Sequence, residues 1–568
     1  MHIQVIPNRG STPTVLLRES YRQGAKVCKR TLANLSDLAA SQIESIRAIL
    51  RGENLQPVAQ TFEITHSLAH GHVQAVQLAM QRLGFASLLA SKPCPERDLV
   101  QAMVASRILC PATKLATTRQ WHTSTLAQEF GVADATEDDL YAAMDWLLAG
   151  QDRIQKKLAA RHLQEDALVL YDLSSSYFEG SCCPLAKLGY SRDGKRGTLQ
   201  VNYGLLTDAR GCPVAISVHP GNTSDSTTFL PEVQRLREQF GIKRMVMVGD
   251  RGMISQKAID VMGQDSDLAW VTALRSASIR TLVEQGHLQL GLFDERNLLE
   301  ISSPDFPGER LIACRNPELA KLRAHTRDDL LLATQGNLQK VQARVEAGKL
   351  VGRDKIGLAA GKVVNQYKVA KHFELVIDDT ALGFARKEDS IRAEAALDGL
   401  YIIRTSVKPE RMDAPTCVRT YKSLAQVERA FLSMKMMDLK VRPIHHHLEG
   451  RVRAHIFMCM LAYYVEWHMR EVWRELMFAD EDQAAKLVRD PVAPAKRSGA
   501  AIKKVLSRTL QDGSAVHSWH TLIAELATIV RNTCRTPGGS TDAPSFEIIT
   551  TPNPTQKRAL DLINQIQP

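Results

Sequence analysis

Two aspartates close short apolar runs in this chain. Asp172 follows Ala167–Tyr171 (ALVLY), and Asp250 follows Met245–Val248 (MVMV) after Gly249. Both runs read as strands, and the carboxyl ends of strands in α/β sheets are where sites are built. An aspartate there also starts turns or caps helices with no further role, so a third carboxylate is needed before the pair means more. Glu428 is the candidate. The pattern predicts a helix from about Leu424 to Met437, opened by a Ser-x-x-Gln capping box at Ser423 and Gln426. Tyr421 stands seven residues before Glu428 and Lys435 seven after. Seven residues is close to two turns, so Glu428 and Lys435 are expected on one helix face. Tyr421 is expected just outside the helix entrance. An ordinary exposed helix also carries a Glu and a Lys in this way.

The elements around these residues fall into blocks. Ile3–Ile6, Val15–Tyr21 and Val27–Leu32 alternate like strands, with a turn at Gln23-Gly24. From Ala39 to about Leu163 the pattern is helical, with a capping-box start at Thr136–Asp139. A sheet rhythm begins at Ala167. Leu199–Leu206 and Val214–Val218 read as a hairpin, Ser226–Phe240 as a helix, Ile254–Val261 as a helix and Leu268–Ala273 as a strand. Residues 276 to 396 break that rhythm with a long polar helix, Arg323–Ala347, and read as an insertion. The sheet is expected to resume at Leu400–Arg404. His455–Trp473 reads as a buried apolar helix, and the Pro-, Thr- and Gly-rich end from Arg535 as a mobile tail.

The chain has 568 residues, 44% of them apolar and 24% charged, which excludes a disordered chain, a fibre and a small disulfide scaffold. Seventy-two Lys and Arg against 62 Asp and Glu give +10 and a pI near 9.0, a balance that favours a polyanionic partner. Ile456–Val465, the longest apolar run, is too short to span a bilayer, and MHIQVIPNRG holds no signal-peptide core. The ten cysteines are scattered without a CxxC pair, as expected of reduced thiols in a cytoplasm.

Several stretches in order carry a resemblance. Tyr421, Glu428 and Lys435 match a Tyr-x2-Arg-x3-Glu-x6-Lys signature, with Leu424 where the Arg belongs and Arg429 or Lys422 as stand-ins for its charge. Gly189–Asp193 (GYSRD), Pro220–Asp225 (PGNTSD), Gly249–Gly252 (GDRG), Leu439–His445 (LKVRPIH) and Arg451–His455 (RVRAH) accompany it. With these motifs the chain resembles the DDE transposases of bacterial insertion sequences, within the insertion sequence 4 superfamily and closest to the insertion sequence 1634 group. The likeness covers about 165–475 well, the N-terminal part loosely and the last 90 or so residues hardly at all.

The resemblance implies an α/β fold with an RNase H-like (retroviral integrase-like) core. It implies five regions: a β/helical DNA-binding region at 1–163, the first part of the core at 164–275, an insertion domain at 276–396, the second part with the Glu-bearing helix at 397–478, and a helical, basic C-terminal region with a flexible tail at 479–568. It implies Asp172, Asp250 and Glu428 as catalytic and metal-binding residues for two Mg²⁺, with Mn²⁺ able to substitute. Asp172 is expected to bridge the two ions. Tyr421, Lys435, Arg251, Arg192, Lys195, Arg442 and Arg451 are expected on DNA, with Arg196 also a candidate for phosphate contact. The partners implied are the terminal inverted repeats and target DNA, with a homodimer in the DNA-bound complex, no nucleotide cofactor, and a cytoplasmic, nucleoid-associated location. Water would cleave first, and the freed 3′-OH would then attack target DNA.

Three other readings share some of these features: an RNase H-like nuclease of repair or junction processing, a catalytically inactive DNA-binding relative, and a hydrolase of small phosphoesters. Two further motifs fail on geometry or spacing. Adjacent His445, His446 and His447 point apart and do not converge on one ion, so packing or a DNA-facing role beside Arg442 is expected. Ala359–Lys362 lacks the upstream Gly and the following Ser or Thr of a phosphate loop. The basic stretch Lys496, Arg497, Lys503, Lys504 and Arg508 reads equally as a DNA track and as a solvated helix face.

Overall fold

The computed structural model describes all residues except 11, 54–61, 181, 294–296, 483, 485–487, 495, 537–543 and 568. The chain divides into two compact units, residues 1–68 with 529–551, and residues 69–528 with 552–568. The first boundary thus falls within the stretch expected to form one N-terminal region.

In the smaller unit, β1 (His2–Ile6), β2 (Thr14–Gln23) and β3 (Lys26–Asn34) form an antiparallel meander. A helix, Ala40–Leu50, follows. A second sheet joins β4 (Glu63–Ala69) to Val530–Arg535, which pairs with Ser545–Ile549. The Thr65 hydroxyl donates to the Thr533 carbonyl at 3.2 Å, and Arg535 pairs with Glu63 at 2.7 Å. The stretch expected as a mobile tail beyond Arg535 holds the strand Ser545–Ile549 and, in the larger unit, a helix, Pro554–Ile563, capped by Asn553. Residues 537–543 of that expected tail lie outside the described residues.

The larger unit is built on one mixed sheet. Its strands are β5 (Ala167–Tyr177), β6 (Lys187–Leu188), β7 (Leu199–Thr207), β8 (Pro213–Pro220), β9 (Met245–Val248), β10 (Leu268–Ala273), β11 (Leu298–Ile301), β12 (Arg310–Arg315) and β15 (Leu400–Thr405). A separate hairpin, β13 (Phe373–Ile377) with β14 (Leu382–Arg386), lies off it. The order runs β11-β12-β15-β10-β9-β5-β7, with β6 and β8 both on β7. β5, β9 and β10 are mutually parallel, and every other pairing is antiparallel. Burial on both faces explains why β9 reads as an uninterrupted apolar run.

One expectation is corrected here. Residues 276–396 do not leave the sheet as a block, because β11 and β12 extend it and β12 pairs directly with β15. The Arg and Glu residues around β11 and β12 mask the strand pattern of this edge. Outside the sheet lie the 30-residue helix Pro317–Glu346, the helix Arg353–Gln366, the β13–β14 hairpin and the helix Glu388–Ala395, which share a core around Leu338, Ile356 and Phe373. The helix Glu449–Val472 is buried on nearly every side, as its composition predicts. No described helix is long and apolar enough to cross a membrane.

Candidate active site

Strand register brings the two aspartates together. β5 and β9 run parallel with Leu170 opposite Val248. Two residues further along each chain stand Asp172, still within β5, and Asp250, just past the end of β9, and the charge of Asp250 acts on Asp172. Gly249 makes the exit from β9 possible, since a Cβ there would lie 2.9 Å from Ile254 Cγ1. Asp250 then folds back on its own turn, its Oδ1 accepting the N–H groups of Gly252 at 2.9 Å and Met253 at 2.7 Å.

Glu428 reaches the pair from above β5. Its helix, Leu424–Leu432, buries Val427, Ala430 and Phe431, and Phe431 meets the Tyr203 ring edge-on at 5.8 Å. Glu428 adjoins that apolar stripe and stays exposed at its border. The expected capping box is absent. A helix starting at Ala414 runs through Lys422, and Ser423 keeps helical dihedrals while its hydroxyl donates to the Thr420 carbonyl at 2.6 Å. Ser423 marks a bend between two helices, and Tyr421 lies in the last turn of the first helix rather than ahead of a new one.

After Leu432 the helix widens into a π-turn, Ser433–Met437, a feature frequent at functional sites. The buried Ser433 hydroxyl donates to Glu466 Oε1 at 2.9 Å, and Arg470 pairs with both Glu466 and Asp438. The π-turn is thereby fixed to the long buried helix.

Burial and like charge dominate the electrostatics of the cleft. Burial, then the charges of Asp250 and Glu428, push the Asp172 carboxyl up to about 7, against the Leu173 N–H and Arg192. Burial and the same three carboxylates, Asp250 foremost, push Tyr421 up to about 12, with Arg251 opposing. Arg251 is thus the cation beside Tyr421. Neither proposed stand-in for the missing signature Arg takes that place: Lys422 donates to the Val492 carbonyl, and Arg429 bonds Gln426 on the exposed face. All-oxygen donors and a surplus of negative charge suit hard divalent cations.

The other expected DNA contacts divide into two sets. Lys435 and Arg442 are both turned onto Asp193, at 3.2 and 2.5 Å, and the Asp193 side chain is nearly inaccessible. Asp193 also accepts the Tyr177 N–H at 3.1 Å. Lys435 is itself buried, and burial lowers its pKa. It is not exposed for a phosphate in this arrangement, because the π-turn carries it inward. Arg192 pairs with Asp225 and donates its own N–H to Ser175. Lys195 lies exposed over the Tyr177 ring at 3.5 Å, and Arg451 stacks on Tyr141 at 4.2 Å. Asp193 was quoted only as part of a motif. A carboxylate immediately after Arg192 in a basic stretch was the signal that it serves as a shared anchor.

With this geometry in place, the family can be stated. A model of the transposase DDE domain matches residues 179–465, beginning just past Asp172 and including Asp250 and Glu428. A model of the N-terminal domain of IS1634 family transposases matches residues 3–59. The chain belongs to the DDE transposases, in the IS1634 group. It is an insertion-sequence transposase, of a class that performs metal-dependent DNA cleavage and strand transfer. No curated protein matches it. Two solved structures show distant likeness. A piggyBac transposase synaptic complex with hairpin DNA has 10% identity and TM-score 0.33 over 83% of this chain and 85% of that one. The Mos1 transposase paired-end complex with left transposon end has 14% identity and TM-score 0.13 over 34% of this chain and 62% of that one.

Proposed function

We propose that Asp172, Asp250 and Glu428 are the catalytic carboxylates, and that the sheet order β8-β7-β5-β9-β10 is an RNase H-like core built to present them. The observation that carries the reading is the β5–β9 register, which runs to two residues short of Asp172 and Asp250, together with the charges of Asp250 and Glu428 acting on Asp172. Asp172, on which the charges of both Asp250 and Glu428 act, would hold the ions together with them. Two Mg²⁺ bound there would stabilise the charge on the attacking and leaving oxygens of a phosphodiester. Asp250 is pre-set by its two backbone N–H bonds on Oδ1, which would leave Oδ2 to hold an ion. Tyr421, kept protonated by the acids around it, donates a hydrogen bond to a non-bridging phosphate oxygen. Arg251, exposed beside it, neutralises the same phosphate. Lys435 and Arg442 act one step back: with Asp193 they hold the π-turn and the end of β5 in register.

Residues 276–396 contain the insertion, and its helical body begins at Pro317. The smaller unit, with the meander matched by the IS1634 N-terminal model, is assigned recognition of the element ends. A homodimer assembled on paired ends is the working unit.

The test uses purified protein, Mg²⁺ and a plasmid carrying the gene's own flanking DNA, with nicks mapped at nucleotide resolution. Cuts at the two element boundaries that require metal and vanish in Asp250→Ala are expected. Boundary cuts that persist in Asp250→Ala would contradict the assignment.

A further inference from the structure

Remote from the carboxylates along β5, the larger unit holds the opposite kind of place: buried cations without acids. A cavity of about 520 Å³ opens between the helix Pro95–Leu109, the residues that follow it, and the segment 440–446. That segment is held to the end of β5 by paired hydrogen bonds between Ile444 and Tyr177–Glu179. Four basic side chains line the cavity: Arg107, Lys114, Lys440 and Arg442. His446 and His455 complete the wall, and no Asp or Glu lines it. Arg442 is already paired with Asp193. Arg107 and Lys114 are only 7% and 4% exposed, and among the described residues neither makes an ion pair. Arg107 uses one nitrogen on the Ala112 carbonyl at 3.2 Å. His455 gives Nε2 to the Val441 carbonyl, and its buried Nδ1 has no partner.

Burying one unpaired cation costs several kcal/mol, and two side by side also repel. Lys114 and His446 feel that cost. Burial, then Arg107, lowers the Lys114 amine to about 7, and burial followed by Lys114 and Arg107 lowers His446 to about 3. An anion in the cavity would reverse both effects. A guanidinium fork and an ammonium on one cavity suit a tetrahedral oxyanion, with Arg giving two directed donors and Lys a point charge. The volume exceeds that of a single halide.

We propose that this cavity is a binding site for a phosphate group, held by Arg107 and Lys114 with Lys440 at its rim. The group is either a backbone phosphate of DNA or free phosphate. The proposal uses none of the carboxylates assigned to catalysis, so its failure and theirs are separable.

The experiment uses the full chain. Thermal unfolding is followed while sodium phosphate replaces sodium chloride at constant ionic strength. Phosphate is expected to raise the wild-type midpoint to a plateau. Lys114→Met should have a higher midpoint than wild type in chloride and no response to phosphate. Duplex DNA binding is then measured against salt. If the site takes a DNA phosphate, Lys114→Met lowers the slope of log K on log salt by about 0.9, and phosphate competes with DNA in the wild type only. If it takes free phosphate, the slope is unchanged. Should Lys114→Met fail to fold, Lys440→Gly serves, because position 440 has a positive φ of 45° that glycine accepts. It should weaken the phosphate response severalfold. An unaltered phosphate response and an unaltered salt slope in the variant would overturn the proposal.

Discussion

Asp172 and Asp193 are fixed to the same strand, one within β5 and the other on the N–H of its last residue, yet their surroundings are opposite. Asp172 faces two more carboxylates and is pushed up to about 7. Asp193 is enclosed by Lys435 and Arg442 and capped by a backbone N–H. One acid sits among like charges, and the other sits between two cations. The carboxylate set among like charges in mid-strand is the one we propose for chemistry. A charge satisfied internally marks architecture. The acid-free cavity around Lys114 follows the same logic with the sign reversed.

The largest expected effect is on turnover. Asp172→Asn and Asp250→Asn each remove several kcal/mol of transition-state stabilisation, a fall of about 10³-fold or more in nicking rate, with folding intact. Asp193→Ala should do the reverse. Leaving Lys435 and Arg442 buried without a carboxylate costs about 3–5 kcal/mol, read as a lower denaturation midpoint. Similar losses of stability in the Asp172 and Asp193 variants would erase the distinction between the two sites.

A pH series sharpens it. The folded Asp172 keeps its proton to about 7, whereas an unfolded aspartate loses it near 3.8. The folded state thus binds more protons across that window, and metal-free stability falls as pH rises through it. Asp172→Asn escapes this cost, so its midpoint should gain on wild type from pH 4 to pH 7 and hold the gain above. Mn²⁺ affinity, measured by titration, should climb with pH up to about 7 and then level. A smaller effect is expected of Tyr421→Phe, which removes one neutral donor worth about 0.5–1.5 kcal/mol, at most about tenfold in rate. The smallest is Leu424→Arg. At this half-buried first turn it should shift stability by no more than about 0.5 kcal/mol, while duplex affinity rises modestly through one added phosphate contact.

The core strands were legible because each signal is local. ALVLY and MVMV are apolar runs that end in Asp, and strand register does the rest. Non-local features were hidden. β4 pairs with a strand more than 460 residues away, and nothing in EITHSLA names that partner. Ser423 and Gln426 match a capping box, but the preceding helix already satisfies the backbone there, so the box does not form. The inward turn of Lys435 depends on a π-turn that the i, i+7 spacing does not contain. Asp193 drew no notice because its two cations come from segments 240 residues further on.

The central claim is that Asp172, Asp250 and Glu428 hold the catalytic ions together. Iron-mediated cleavage tests it directly. Fe²⁺ placed at the Mg²⁺ sites of the DNA-bound protein, with ascorbate and peroxide, cuts the polypeptide near its ligands. Cuts clustered at 172, 250 and 428, suppressed by Mg²⁺ and lost together in Asp172→Asn, are predicted. Cuts that spare these positions and fall near His162, Cys212 and His468, whose ligand atoms lie within 4.8 Å of one another, would contradict it.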